Sequence, residues 1–186
     1  MGSNRSKHKG NPISSNSPYT TVANNVIGLL HQDTGDQDAF IDAKSFAFSF
    51  GNDSMSVDGK SNFAASSLVI LKNSFHLGLL ISSLQDKEFL LPRFMMFDNI
   101  EDKGMVPQRS WNFQKLICEA SLASQADHQI ILTTSMLDPA LEGSKMLVGP
   151  SYSQQNRTGY QVDSLFRIRG HPPAPHPFSL ATLSPR

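Results

Sequence analysis

Two short runs, RFMMF at 93–97 and QIILTTS at 129–135, restrict the fold of this chain more than any other feature. Each contains a continuous apolar stretch, 94–97 and 130–132, a pattern typical of parallel strands that are covered on both faces. The segment between them contains Pro107, a residue favoured in the first turn of a helix, followed by apolar residues at helical spacing. We therefore predict a strand–helix–strand unit in an α/β layer.

A β-hairpin and a long helix are predicted upstream of this unit. Phe46, Phe48 and Phe50 alternate with small residues, and the turn-forming residues GNDS separate them from a second alternating run, MSV. From Phe63 to about Leu84, apolar residues recur at helical spacing, and Asn62 stands where an N-cap is expected. The predicted order is hairpin, helix, strand, helix, strand.

Composition divides the 186 residues into three parts. The N-terminal residues are rich in Ser, Asn, Lys and Gly, and residues 169–186 contain five prolines. We predict a disordered N-terminal segment at 1–18, one folded domain at 19–160 and a proline-rich, disordered tail at 161–186. A tail of this composition is either a PxxP-like ligand for a proline-binding module or inert.

The charge balance and the apolar segments favour a soluble protein. Sixteen basic and sixteen acidic residues cancel, so no overall field attracts nucleic acid or an anionic membrane. Lys72, Asn73 and His76 interrupt the longest apolar segment, 62–84, which argues against a membrane span. The single cysteine, Cys118, cannot form an internal disulfide and suits a reducing compartment. We predict a cytoplasmic location.

The tripeptide Gly59-Lys60-Ser61 matches the last three residues of a phosphate-binding P-loop, but the rest of that motif is missing. A P-loop has a glycine five residues before the Gly-Lys pair, and this chain has Ser54 there. Asp58 would also place a negative charge against the phosphate. We therefore interpret Lys60 as a solvated lysine at the end of the hairpin.

Two other features can bind ions. The small residues at 63–67 begin the long helix, where free N–H groups and the helix dipole favour an anion. Asp98 directly follows the apolar run 94–97, which places its carboxylate at the strand end where open α/β sheets bind ligands. Four apolar residues and an aspartate form the Walker B pattern, which holds Mg²⁺. The alternative is a turn or cap, since Asp is common after strands.

The order of these features resembles the C-terminal lobe of an ABC-type ATPase head, in the version found in SMC-like and RecF-like DNA-associated ATPases of bacteria. The stretches that carry the resemblance are RFMMFDNIEDKGM, HQIILTTSM and VGPSY, and it covers roughly residues 40–160. It implies a partial P-loop NTPase fold. In that fold a signature motif opens the long helix, a Walker B strand and a D-loop follow, and a switch residue ends the next strand.

The resemblance implies roles for residues near the first strand. Asp98 matches the Walker B aspartate and would hold Mg²⁺. Asn99 takes the place of the usual catalytic glutamate, and an asparagine cannot accept a proton from the attacking water. Glu101 or Asp102 would have to replace it, within the segment that corresponds to the D-loop.

The helix start and the second strand would supply the remaining contacts. The family has a serine and two glycines at the helix start, and the positions expected to face a γ-phosphate across a dimer are Asn62, Ala64, Ser66 and Ser67. Thr134 and Ser135 occupy the switch position, where many relatives have histidine, and would contact a phosphate only as neutral hydroxyls.

The resemblance also implies an incomplete nucleotide site. The chain begins too late to contain the lobe that carries the P-loop, so we expect ATP and Mg²⁺ to bind only with an N-terminal ATPase lobe or a homodimer partner. We expect no ATP hydrolysis by the chain alone, and DNA binding follows from family analogy only. The alternatives are a non-enzymatic protein-interaction module and a truncated, inactive fragment.

Overall fold

The computed structural model describes residues 17–35 and 40–148, together with the backbone of 164–170. The helices of this part of the chain are α1 (Pro18–Leu30), α2 (Ala65–Gln85), α3 (Pro107–Ala123) and the short 3₁₀-helix Pro139–Leu141. Its strands are β1 (Phe46–Ser49), β2 (Ser54–Val57), β3 (Phe94–Phe97), β4 (His128–Thr134), β5 (Leu147–Val148) and β6 (Ser164–Gly170). The fold is a mixed α/β arrangement with two small sheets.

The larger sheet has the strand order β3-β4-β6-β5. The first pair, β3 and β4, is parallel and is connected through α3, so the predicted strand–helix–strand unit is confirmed. Strand β6 runs antiparallel to both β4 and β5, which makes the sheet mixed. The smaller sheet is the predicted hairpin of β1 and β2. This architecture alone does not identify a P-loop NTPase lobe.

Strand β6 lies inside 161–186, for which the sequence predicts a disordered tail. Its seven residues pair with β4 over their whole length, from His128 opposite Gly170 to Thr134 opposite Ser164. Regular backbone therefore extends past the predicted end of the domain at residue 160. The remaining residues of that tail, like residues 1–16 of the N-terminal segment, lie outside the described part of the chain.

Helix α1 was not predicted, although its start carries clear local signals. Ser17 is the N-cap and accepts a hydrogen bond from the Tyr19 N–H at 3.3 Å, and Pro18 occupies the first turn. Val22 and Val26 are buried and form part of the side that packs against α2. The two helices approach closely at Gly78, where an added Cβ would lie 2.7 Å from a methyl carbon of Val26.

Helix α2 begins later than the sequence suggests. Its N-cap is Ala64, which cannot donate or accept a side-chain hydrogen bond, and the predicted cap Asn62 lies exposed before the helix. Of the helices described, α2 alone is long and apolar enough to cross a membrane. Some 56% of its most apolar 18-residue window is buried inside the protein, and core helices of soluble proteins meet the same criteria.

The prediction that β3 is fully buried is wrong. Phe97 is buried, but Phe94 and Met96 are 46% and 58% exposed. Strand β4 is likewise buried on one side only, where Ile130 and Leu132 lie, and the residue between them, Ile131, is partly exposed. The rings of Phe97 and Phe113 of α3 lie 6.0 Å apart, which shows that the buried side of β3 faces the helices. Among the described residues, the other side of this strand pair is only partly covered.

The segment around Lys60 is a tight turn. The backbones of Val57 and Lys60 exchange two hydrogen bonds of 2.9 Å across Asp58 and Gly59, whose φ angles of 49° and 75° are typical of a type I′ turn. The Asp58 carboxylate accepts hydrogen bonds from Lys44 and Ser45, and the Lys44 N–H is the main cause of its lowered pKa. Lys60 is exposed, so the hairpin interpretation is confirmed.

Candidate functional site

The carboxyl ends of β3 and β4 bring the predicted Walker B residues next to a threonine. Because Phe97 lies opposite Leu132 in the parallel register, the residues that follow, Asp98 and Thr133, are neighbours. Thr133 Oγ1 donates a 2.6 Å hydrogen bond to Asp98 Oδ1 and accepts one from the Asn99 N–H at 3.1 Å. Asp98 and Asn99 are both exposed, so their side chains are open to solvent.

Thr133 was missed by the sequence analysis, which assigned the switch position to Thr134 or Ser135. Side chains alternate between the two faces of a strand, so adjacent threonines point to opposite sides of the sheet. The half-exposed Thr133 is on the side of Asp98, and the buried Thr134 points toward the helices. The register of the parallel pair decides which one meets Asp98, and local spacing does not encode that register.

Glu101 points into the protein and binds the end of β4. Its side chain is 5% exposed and accepts hydrogen bonds from Thr134 Oγ1 at 2.8 Å and from Ser135 Oγ at 2.7 Å. The backbone N–H of Ser135 donates a third hydrogen bond to the same carboxylate. A carboxylate with both oxygens occupied in this way is a poor acceptor for a proton from water. Glu101 therefore connects the loop after β3 to the end of β4.

The loop that carries Glu101 has an unusual backbone. Asn99 and Lys103 have φ angles of 53° and 63°, in the left-handed region that few non-glycine residues adopt. Buried Ile100 lies between Asn99 and Glu101 and anchors the turn in the core. Asp102 is exposed and forms an ion pair with Lys103 at 3.4 Å. Glu101 and Asp102 are the two carboxylates proposed to replace a catalytic glutamate. Glu101 is buried and hydrogen-bonded, whereas Asp102 faces solvent.

The start of α2 holds a buried arginine. The guanidinium of Arg109, in the first turn of α3, donates 3.2 Å hydrogen bonds to Ser66 Oγ and Ser67 Oγ. It also forms a two-pronged ion pair with Asp33, with 2.8 Å between Nε and Oδ1. Both side chains of the pair are 5% exposed. The two serines expected to face a phosphate therefore bind a cation from their own chain.

The other predicted contacts at this helix start, Asn62 and Ala64, are exposed. Neither takes part in the cluster around Arg109, which we define as Asp33, Ser66, Ser67 and Arg109 and call the arginine cluster. A guanidinium at a helix N-terminus is unfavourable by itself, and the Asp33 carboxylate offsets this repulsion. An anion that approached α2 would have to compete with Asp33 for the arginine.

The loop after α1 fits closely around the guanidinium. An added Cβ at Gly35 would lie 2.7 Å from Arg109 Cζ, so a larger residue there would have to displace the guanidinium. Arg109, Asp33 and Gly35 were all missed by the sequence analysis. Asp33 and Arg109 are 76 residues apart in the chain, and no local pattern connects residues at that distance.

Helix α3 connects the arginine cluster with the segment after β4. Gln114 is fully buried, and its side-chain amide donates a 2.7 Å hydrogen bond to the Met136 carbonyl. The Gln114 side-chain oxygen accepts a 3.0 Å hydrogen bond from the Asp138 N–H. No hydrogen bond joins the arginine cluster directly to Asp98 or Glu101 within the residues described. The predicted site is therefore two separate groups of residues.

The strand ends offer one exposed carboxylate, that of Asp98, to a magnesium ion. Within 17–35 and 40–148, no group of three or more His, Cys, Asp or Glu residues could hold a metal ion. Mg²⁺ commonly uses one or two carboxylates and takes its other ligands from water and substrate phosphates. Asp98 fits that donor set, with Oδ1 bonded to Thr133 and Oδ2 without a hydrogen bond from any described residue. The ion would then depend on the nucleotide for most of its ligands.

Comparisons with known proteins do not assign a family. No protein-family model matches the chain, and no significant match was found among curated proteins or solved structures. The function is therefore inferred from the geometry at the ends of β3 and β4, from the arginine cluster and from the sequence motifs.

Proposed function

We propose that the chain is the C-terminal lobe of an SMC-like ATPase head and supplies part of an ATP site. The parallel pairing of β3 with β4 carries this proposal, because it puts the carboxylate of Asp98 at the carboxyl ends of two adjacent strands. Ligands of open α/β sheets bind at such strand ends. The stretches RFMMFDNIEDKGM and HQIILTTSM, which resemble this family, support the proposal.

In this proposal Asp98 would hold a magnesium ion through Oδ2, which accepts no hydrogen bond from a described residue, while Thr133 bonds to Oδ1. The P-loop that cradles the triphosphate comes from an N-terminal ATPase lobe or from a partner chain. Because backbone N–H groups of a P-loop supply most phosphate contacts, ATP bound to this chain alone would be held weakly. The biological unit would then be an assembly.

Hydrolysis by the chain alone is not part of this proposal. Asn99 cannot act as a general base, and Glu101 is occupied by Thr134 and Ser135. A general base contributes about 10²–10⁴-fold to a rate. Asp102 is the one exposed carboxylate of this loop besides Asp98, and it is paired with Lys103. We expect the chain to bind nucleotide without turning it over.

The proposal can be tested by titrating the chain with Mn²⁺ and a slowly hydrolysed ATP analogue, ATPγS, while recording amide signals by NMR. Paramagnetic broadening should be local to Asn99, Thr133 and their neighbours. Asp98→Asn should remove it, whereas Asp102→Asn, a nearby exposed acid, should leave it unchanged. Absence of local broadening, or equal broadening in Asp98→Asn, would contradict the proposed metal position.

Calorimetry tests the incompleteness of the site. We expect the isolated chain to bind Mg²⁺ and ATP with an affinity weaker than micromolar and to release no phosphate. Micromolar affinity together with turnover by the isolated chain would show a complete active site and would overturn the half-site proposal.

A second candidate function is a non-enzymatic interaction module. The arginine cluster favours it, because Ser66 and Ser67 are already bonded within the chain. The exposed Phe94 and Met96 also give β3 an apolar surface. Sedimentation of the chain with an N-terminal ATPase lobe separates the two functions. Loss of nucleotide-dependent assembly in Asp98→Ala supports the ATPase lobe, and unchanged assembly supports the module.

A further inference from the structure

A groove lined by aromatic rings lies between the β1–β2 hairpin and α2, and it shares no residue with the arginine cluster or the strand ends. Its volume is about 370 Å³. The residues that line its walls, which we call the aromatic groove, include Phe48, Phe50, Met55, Lys72, Phe75 and His76. Asp53, in the hairpin turn, completes the rim.

The rings of this groove form a continuous, partly exposed surface. Phe48 and Phe75 lie 4.8 Å apart between ring centroids, and Phe48 and Phe50 lie 5.4 Å apart. Tyr19 stacks on Phe48 at 5.2 Å and extends the surface toward α1. Phe50 is 67% exposed, which is unusual for a large apolar ring that has neighbouring rings to pack against. Phe75 itself is buried and Tyr19 stacks on Phe48, so Phe50 presents most of the ring surface that a ligand can reach.

Hydrogen-bond donors stand beside the rings. Lys72 and His76 are four residues apart on α2, so they lie on the same face of the helix and both line the groove. A lysine ammonium has only donors, and an imidazole ring has at least one N–H. The groove therefore suits a ligand that combines apolar side chains with unpaired carbonyl oxygens.

We propose that the proline-rich segment 171–186 of this chain binds in the aromatic groove as a polyproline II ligand. This segment lies outside the described residues and begins HPPAPHPF, with four prolines in eight positions. Polyproline II backbone has no internal hydrogen bonds, so its carbonyls remain free to accept from Lys72 and His76. Proline-rich ligands are commonly recognised by grooves lined with aromatic side chains. The aromatic rings of the groove would contact the proline rings of such a segment, and Lys72 and His76 would donate to its free carbonyl oxygens.

The position of β6 is compatible with this contact. Strand β6 ends at Gly170, opposite His128 at the start of β4. From there β3 is two strand spacings away, about 10 Å. Arg93, just before β3, donates to the Ser83 carbonyl of α2 at 3.1 Å. Phe75 lies eight residues earlier on the same helix, about 12 Å along its axis. Sixteen residues of polyproline II span about 50 Å, more than this path requires.

Paramagnetic labelling of the full-length chain tests the proposal. A nitroxide would be attached at Ser179→Cys in a Cys118→Ala background, and amide signals of the hairpin would be recorded. We expect a several-fold loss of intensity at Phe50, Asp53 and neighbouring amides. Replacement of Pro172, Pro173 and Pro175 by alanine should restore these signals, because the polyproline II conformation is weakened.

A matched pair of aromatic variants makes the test specific. Phe50→Ser should restore the hairpin signals, whereas Phe94→Ser, which replaces an exposed ring outside the groove, should not. Both rings are exposed, so neither change should unfold the protein. Hairpin signals that are unaffected by the label, or unchanged by Phe50→Ser and the proline replacements, would overturn the proposal.

The label also distinguishes other occupants of the groove. In a mixture of labelled, isotope-free chain with unlabelled, ¹⁵N-enriched chain, only contacts between molecules cause broadening. Hairpin broadening in this mixture would assign the groove to a second copy and would overturn the intramolecular contact. Broadening that is seen only when the nitroxide and the ¹⁵N label are on the same chain supports the intramolecular contact.

Discussion

Thr134, the last residue of β4, donates a 2.8 Å hydrogen bond to the buried carboxylate of Glu101 in the loop after β3. The loop and the strand end are therefore joined through a side chain and not through the sheet ladder. The same carboxylate accepts from Ser135, so three donors converge on one acid. A buried carboxylate with this many donors holds the loop in a single position.

Replacing Glu101 with glutamine should lower the free energy of unfolding by about 1–3 kcal/mol, because an uncharged amide is a weaker acceptor and its NH₂ replaces one of the two oxygens that accept from Thr134 and Ser135. The matched control is Asp102→Asn on the same exposed loop, which should change stability by less than about 0.5 kcal/mol. Urea denaturation followed by circular dichroism measures both. Equal effects of the two substitutions would show that the contacts of Glu101 do not stabilise the fold.

Removing one partner of the Asp33–Arg109 pair should be strongly destabilising. Arg109→Met leaves the Asp33 carboxylate buried without its cation, and the expected loss is about 3–5 kcal/mol. Combining Arg109→Met with Asp33→Leu should recover much of this loss, since no charge is then buried. A double-mutant cycle in urea gives the coupling energy. Additive effects of the two changes would contradict a direct interaction.

Two glycines in helices should respond to alanine in opposite directions. Gly78→Ala would place a methyl group 2.7 Å from the Val26 side chain, and overpacking of this kind costs about 1–3 kcal/mol. Gly28→Ala in α1 meets nothing within 4 Å and should stabilise the protein by about 0.5–1 kcal/mol. Thermal melts compare the variants. Stabilisation by Gly78→Ala would mean that α1 and α2 are less closely packed than described.

Stability should fall below neutral pH because of His76. Burial and the nearby Lys72 charge lower the pKa of His76 in the folded protein. The unfolded chain therefore binds a proton at higher pH than the folded chain, so the free energy of unfolding decreases as pH drops below about 6.5. His76→Gln should make the melting temperature less dependent on pH between pH 7.5 and 5.5. An unchanged pH dependence would exclude this contribution.

Cys118 should react slowly with thiol reagents in the folded protein. Burial, with smaller contributions from the charges of Asp138 and Glu119, raises its pKa to about 11. The thiolate is the reactive form, so native Cys118 should react with a disulfide reagent at pH 8 far more slowly than glutathione does. Unfolding in urea should restore ordinary reactivity. Rapid reaction of the native protein would indicate that α3 opens readily.

Local sequence patterns were enough to predict the hairpin, the two parallel strands and the helix between them. Pro107 begins α3, and the apolar run 94–97 coincides with β3. The position of the exposed Lys60 at the end of the hairpin was also predicted. These features depend on interactions between residues close in the chain, which is why periodicity and turn chemistry reveal them. Helix α1 carries signals of the same kind at Ser17 and Pro18, and they were overlooked.

The candidate site depended on contacts that local patterns do not contain. The register of β3 on β4 brings Asp98 to Thr133, and the path of the loop turns Glu101 inward. Asp33 meets Arg109 across 76 residues of sequence. Burial of a charge is tolerated only where a partner and hydrogen bonds compensate its lost hydration, and packing of the whole chain determines where such partners meet. The amino-acid sequence alone thus predicted the hairpin, α2, the β3–α3–β4 unit and the candidate ion-binding residues, and the packing of these elements determined which of those residues lie exposed.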